Sequence, residues 1–142
     1  MKHVITIITV VFLFISAVYG NKTEQSEQKK KEAQTSAIEW LQLVDEGKYG
    51  ESWDKAAGLF KGAVSQEQWN NSLTAARKPL GKLISRKVKS AQYMTTLPGA
   101  PDGEYVVFQF ESSFANKKEA IETVTVMMEK DGKWKAAGYF IK

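Results

Sequence analysis

Two arginines, Arg77 and Arg86, stand out, because every other cation of the chain is a lysine and most of those lie on polar faces. Arg77 follows Leu73 by four residues and Trp69 by eight, so it borders the apolar stripe of a helix. Arg86 alternates with Ile84 and Val88, which places it on the apolar face of a strand. A guanidinium suits partial burial because its planar fork holds a carboxylate at two points. Two acids are candidate partners: Asp45, four residues after Leu41, and Glu122, which shares a strand face with Val124, Val126 and Met128. Two readings follow. Either the four form an ion-pair lock between helices and sheet, or Arg77, Arg86 and Glu122, with aromatics such as Trp53 and Tyr105, form the floor of a ligand pocket that takes an anion.

Catalysis has few routes open to it. The sequence has no cysteine, and its one histidine, His3, lies in the first residues. Downstream of His3 there can be no Ser-His-Asp or Cys-His nucleophilic set and no Cys/His zinc site. The acids are scattered, without the D-x-D-x-D run of a calcium loop, so no metal or cofactor is expected. The remaining enzymatic route is a carboxylate base in an apolar pocket with a tyrosine as hydrogen-bond donor. Asp54 or Glu122 with Tyr49, Tyr93 or Tyr105 would supply it, and no spacing singles out one pair.

The elements that must position these residues are legible from periodicity. Ala33, Ala37, Trp40, Leu41 and Val44 make a helical stripe ended by Gly47. Trp53, Ala56, Ala57 and Phe60 predict a short second helix. Ser65 and Gln68 predict a capping box opening a third, whose stripe is Trp69, Leu73, Ala76 and Leu80. After Gly81 the period becomes two. Residues 82–97, 104–115, 121–130 and 133–142 read as strands, divided by Pro98–Gly103, Ala115–Lys118 and the hairpin signal Asp131-Gly132. Gly138 interrupts the last strand and predicts a bulge or bend. The predicted fold is α+β: three N-terminal helices packed on one face of a curved four-stranded antiparallel sheet. The aromatics Trp40, Trp53, Trp69, Trp134, Tyr105, Phe108, Phe110, Tyr139 and Phe140 would fill its core or line a pocket in it.

The N-terminus reads as an export signal. Lys2 is a positive n-region, Val4–Ile15 an apolar stretch, and Ser16–Gly20 a run of small residues with Gly20 before the cleavage point. The competing reading, an uncleaved anchor, has a short run with Thr6, Thr9 and Ser16 in it, where a span wants about 20 apolar residues. The expected organisation is a signal at residues 1–20, a polar tether or frayed helix start at 21–32, and one domain at 33–142. Loss of Lys2, the only charged group of the signal, takes the net charge from +4 to +3, too small to imply a nucleic-acid partner. The charge is unevenly spread. Residues 70–101 hold Arg77, Lys78, Lys82, Arg86, Lys87 and Lys89 with no acid, while residues 39–54 hold Glu39, Asp45, Glu46, Glu51 and Asp54 against Lys48.

Four stretches resemble a bacterial family known as domain of unknown function number 4019: WLQLVDEGKYGESWDKAAGLFK (Trp40–Lys61), RKPLGKLISRKV (Arg77–Val88), LPGAPDGEYVVFQFESSFANKKEAIETV (Leu97–Val124) and GKWKAAGYFIK (Gly132–Lys142). The resemblance implies a small secreted or periplasmic protein with no assigned activity or catalytic residues. Three helices before a curved sheet are also similar, in architecture alone, to the cone-shaped fold of nuclear transport factor two and the ketosteroid isomerases. The expected function is non-enzymatic binding of a small molecule or a partner protein outside the cytoplasm. No nucleic acid is expected as partner, nor a membrane once the signal is removed. The alternatives are a small isomerase- or lyase-like acid/base enzyme and a purely structural protein.

Overall fold

The computed structural model describes the backbone of residues 4–142 and the side chains of residues 20–142. The export reading rests on the side chains of residues 1–19, which lie outside the described residues. Among the described residues four helices precede the sheet: α1 (Val4–Asp45), α2 (Tyr49–Asp54), α3 (Gly58–Ala63) and α4 (Gln66–Ala76), followed by one 3-10 turn, Lys78–Leu80. Strands β1 (Leu83–Met94), β2 (Tyr105–Phe114), β3 (Lys117–Met128) and β4 (Trp134–Ile141) form an open antiparallel meander in the order β1-β2-β3-β4. The class is α+β with an antiparallel sheet. Among the described residues, no helix is long and apolar enough to cross a membrane.

The stripe of α1 explains the packing. Ala33, Ala37, Leu41 and Val44 are almost wholly buried, and α1 lies across the inner face of the sheet touching all four strands. Val106, Phe108, Phe110, Val124, Val126 and Ala136 meet it from the strands. Helix α4 opens on the capping box: Ser65 Oγ accepts from the Gln68 amide at 3.1 Å and Gln68 Oε1 accepts from the Ser65 amide at 3.0 Å.

The structure departs from the sequence reading in four places. The predicted second helix is two, because Ala57 turns extended (ψ 150°) and donates its amide to Ala136 O at 2.8 Å, tying the helix junction to β4. Ile84 is not on the inner face. A register irregularity between Leu83 and Ser85 moves it outward, to 65% exposure, while Arg86 and Val88 stay inward. Phe140 is also exposed, paired with Thr123 on the outer face of the sheet. The β3–β4 hairpin closes over Lys130, Asp131 and Gly132 rather than two residues: the Glu129 amide donates to Lys133 O at 2.9 Å, and Gly132 takes the left-handed conformation (φ 79°). A bulge does occur at Gly138, where Thr125 pairs with Gly138 but Val126 with Ala136, leaving Ala137 unpaired. The polar segment before Ala33 lies within α1.

Candidate functional site

Strand alternation and the fold of α1 over the sheet bring Asp45, Arg77, Arg86 and Glu122 into one cluster. Asp45 comes from the last turn of α1, Arg77 from the C-cap of α4, Arg86 from β1 and Glu122 from β3. Arg86 donates through Nη1 to Asp45 Oδ2 at 2.7 Å, through Nη2 to Asp45 Oδ1 at 2.9 Å, and through Nε to Glu122 Oε1 at 2.7 Å. Arg77 donates to Asp45 Oδ1 at 3.1 Å and to Gly81 O at 2.7 Å, with its guanidinium 4.3 Å from the centre of the Phe114 ring. Glu122 has no exposed surface, Arg77 is 3% exposed, and the Asp45 side chain 15%.

Two neutral donors complete the shell of Glu122. The Ser112 hydroxyl donates to Oε1 at 2.5 Å, and the Tyr139 hydroxyl to Oε2. Burial and the Glu122 charge, with this hydrogen bond, hold the Tyr139 hydroxyl protonated well above the ordinary tyrosine range. Burial disfavours the Arg86 cation, but its hydrogen bonds to Asp45 and Glu122 outweigh that and hold it charged. Two guanidiniums face two carboxylates, so the cluster is balanced.

Tyr139 also joins this cluster to the aromatic layer. Its ring lies 5.8 Å from Trp40 and 6.2 Å from Trp69, both nearly edge-on, and Phe60 meets Trp69 at 5.0 Å. These rings occupy the space between helices and sheet where a cone-type pocket would lie. Ser52, fully buried, satisfies the indoles: Trp40 donates to its carbonyl at 2.8 Å and Trp69 to its hydroxyl at 2.9 Å. Neither Ser52, Ser112 nor the role of Tyr139 was legible from spacing, because each depends on which strands and helices meet.

The remaining sequence candidates lie apart. Trp53 is partly buried and donates to Val64 O at 2.7 Å. Tyr105 is fully buried, but under the loop after β1, where its hydroxyl donates to Pro101 O at 2.5 Å. None of the expected acid–tyrosine combinations is hydrogen-bonded. Glu122 takes Tyr139, while Tyr93 donates to Glu104 at 2.8 Å, and Lys29 of α1 donates to both. Asp54 accepts from Gln66 at 3.4 Å. Every acid–tyrosine pair found is thus also bound to a cation. Among the described residues no group of three or more Asp, Glu, His or Cys could hold a metal ion.

Clefts open outside this packed layer. One of about 670 Å³ runs between α1 and the β3–β4 hairpin, past Glu39, Asp54 and Trp134. Another, of about 590 Å³, lies at the outer end of the charged cluster, bordered by Asp45, Tyr49, Arg77, Lys78 and Lys82. A third of about 660 Å³ crosses the strands beside Lys87, Glu111 and Ile121.

The family model described as "Protein of unknown function (DUF4019)" matches residues 36–139. No curated protein matches the sequence. Among solved structures, a protein from Catenulispora acidiphila is similar in fold, with 12% identity and a TM-score of 0.55 over 83% of this chain and 93% of that one. Neither match names the transport-factor or isomerase architecture.

Proposed function

The chain belongs to the DUF4019 family, and on that premise we propose that it is an exported, non-enzymatic domain that binds a small molecule or partner protein at its surface. One observation carries the surface assignment: Trp40, Phe60, Trp69 and Tyr139 fill the layer between helices and sheet. The buried charges beside that layer are spent on one another, so no base is left free for the isomerase-like reading. Binding falls to the outer clefts, whose volumes lie in the range of about 300–1,000 Å³ usual for small-molecule sites. Export rests on the pattern of Lys2, Val4–Ile15 and Ser16–Gly20.

Two measurements test this. Residues 1–20 fused to a phosphatase active only outside the cytoplasm should give activity, and the isolated protein should begin at Asn21. An inactive fusion overturns export. Hydrogen exchange of the protein with the ligand or partner that co-purifies from periplasm or medium should show protection along the outer clefts. Protection confined to the segments of Trp69 and Tyr139, which border none of these clefts, would mean that the layer opens, and would overturn surface binding.

A further inference from the structure

The acid-free stretch from Asn70 to Pro101 carries six cations, and the fold answers only some of them. Arg77 and Arg86 meet Asp45 and Glu122, and Lys87 meets Glu111 at 3.1 Å. Lys78 and Lys82 have no ion-pair partner among the described residues, and both border the cleft of about 590 Å³ at the outer end of the buried cluster. The two acids of that cleft are already engaged. Asp45 accepts three hydrogen bonds from the arginines. Glu46 accepts from Lys48 at 2.9 Å and Gln42 at 3.1 Å, and the Lys48 bond holds its carboxyl below the usual range. The lysine charges are therefore surplus.

Arg77 is a second, independent indication. It lines the same cleft, is more than nine-tenths buried, and has two of its nitrogens bonded to Asp45 and Gly81 O. Its Nε–H has no acceptor among the described residues. A buried donor without an acceptor is uncommon, and more so on a charged group, where leaving it unmet costs stability. The surrounding backbone is held firmly. Gly81 is left-handed (φ 76°), and a Cβ there would stand 3.1 Å from Asn116 Nδ2 and 3.2 Å from Ala115 Cβ. No other residue fits this turn easily, and it fixes Lys78 and Lys82 on either side.

We infer that this cleft is an anion site, taking a small molecule through a phosphate or similar oxyanion group. Arg77 forms the floor with its free Nε–H, and Lys78 and Lys82 supply the charge at the mouth. The inference deepens the surface-binding reading by naming a ligand class. If it fails, binding at the other clefts is untouched.

Inorganic phosphate is the probe, titrated at constant ionic strength into the isotope-labelled protein as isolated from cells. The readout is the Nε–Hε NMR signal of Arg77, which burial protects from rapid exchange. A saturable shift is expected. Lys78→Ala with Lys82→Ala should weaken the apparent affinity by about tenfold or more, equivalent to about 1.4 kcal/mol, while Lys87→Ala with Lys89→Ala changes it by less than about twofold. All four replaced lysines are exposed, so the fold survives both pairs. A linear, unsaturating response, or equal weakening by both pairs, would overturn the site.

Discussion

Two carboxylates in this molecule have nearly the same partners and opposite settings. Glu122 accepts from Tyr139 and Arg86, and Glu104 accepts from Tyr93 and Lys29. Each joins an acid, a tyrosine and a cation. Glu122 has no exposed surface and Arg86 only 9% of its side chain exposed, whereas Glu104 and Lys29 are 32% and 28% exposed. At the first site desolvation makes every unmet charge expensive, so the fold surrounds it with further partners, the Ser112 hydroxyl as donor to Glu122 and the Asp45 carboxylate as acceptor for Arg86. At the second, water screens what the partners do not, and two hydrogen bonds suffice. Matching chemistry therefore has unequal weight, set by burial alone.

The largest expected effect breaks the buried site. Arg86→Ala leaves Glu122 without a cation and should cost about 3–5 kcal/mol in denaturant unfolding. Lys87→Ala, one residue away but exposed, should cost about 0.5 kcal/mol or less. Equal midpoints would mean that Arg86 is not desolvated as the geometry requires. A sharper version removes the charges together. Arg86→Met with Glu122→Leu and Tyr139→Phe leaves Asp45 and Arg77 balanced, and of the two hydroxyls aimed at Glu122 it keeps only that of Ser112. This triple variant should be more stable than Arg86→Ala, because a buried pair is retained at little net gain while a broken one is penalised. A triple variant less stable than the single one would show that the charges contribute beyond mutual compensation.

The tyrosines give the next contrast. Both hydroxyls are shifted upward, Tyr139 chiefly by burial and the Glu122 charge, Tyr93 chiefly by burial and its bond to Glu104. A group whose folded pKa is raised contributes stability that is complete below its unfolded value, about 10 for tyrosine, and is lost as pH rises toward the folded value. Melting temperature should thus fall on the alkaline side. Tyr139→Phe should flatten that fall more than Tyr93→Phe, because Tyr139 is the more buried and the more strongly shifted. Identical alkaline limbs for the two variants would contradict the difference in burial.

Periodicity carried the reading as far as single faces, and no farther. It placed Arg86 and Glu122 on inward strand faces and Arg77 beside the α4 stripe, since alternation and the 3.6-residue repeat report which way a side chain points. Charge matching added Asp45 and Glu122 as candidate partners of the arginines, but the neutral neighbours of the cluster stayed out of reach. Ser112 reaches Glu122 because the β2–β3 register sets Ser112 opposite Ala120 and Phe110 opposite Glu122. Tyr139 does so because β4 sets it opposite Val124. Register of this kind depends on turns and bulges between strands, and one bulge was enough to turn Ile84 outward. The Lys29–Glu104 contact was hidden for another reason. Residues 21–32 read as a polar tether or a frayed helix start, and neither reading gives Lys29 a partner, whereas the continuous helix carries it to the end of β1 and the start of β2.

The smallest effect belongs to that contact and tests the exposed half of the comparison. The bond from Lys29, reinforced by Tyr93, holds the Glu104 carboxyl below its usual range. Its contribution is therefore present above the unfolded pKa, about 4.3 for glutamate, and is lost as pH falls through the folded value. At neutral pH Glu104→Gln should cost about 0–1 kcal/mol, and about 1 M salt should erase most of it. Arg86→Ala should keep nearly its full cost in the same salt, because ions do not reach a pair that water does not reach. If salt reduced both losses by the same fraction, the two sites would be electrostatically alike and burial would not be what separates them.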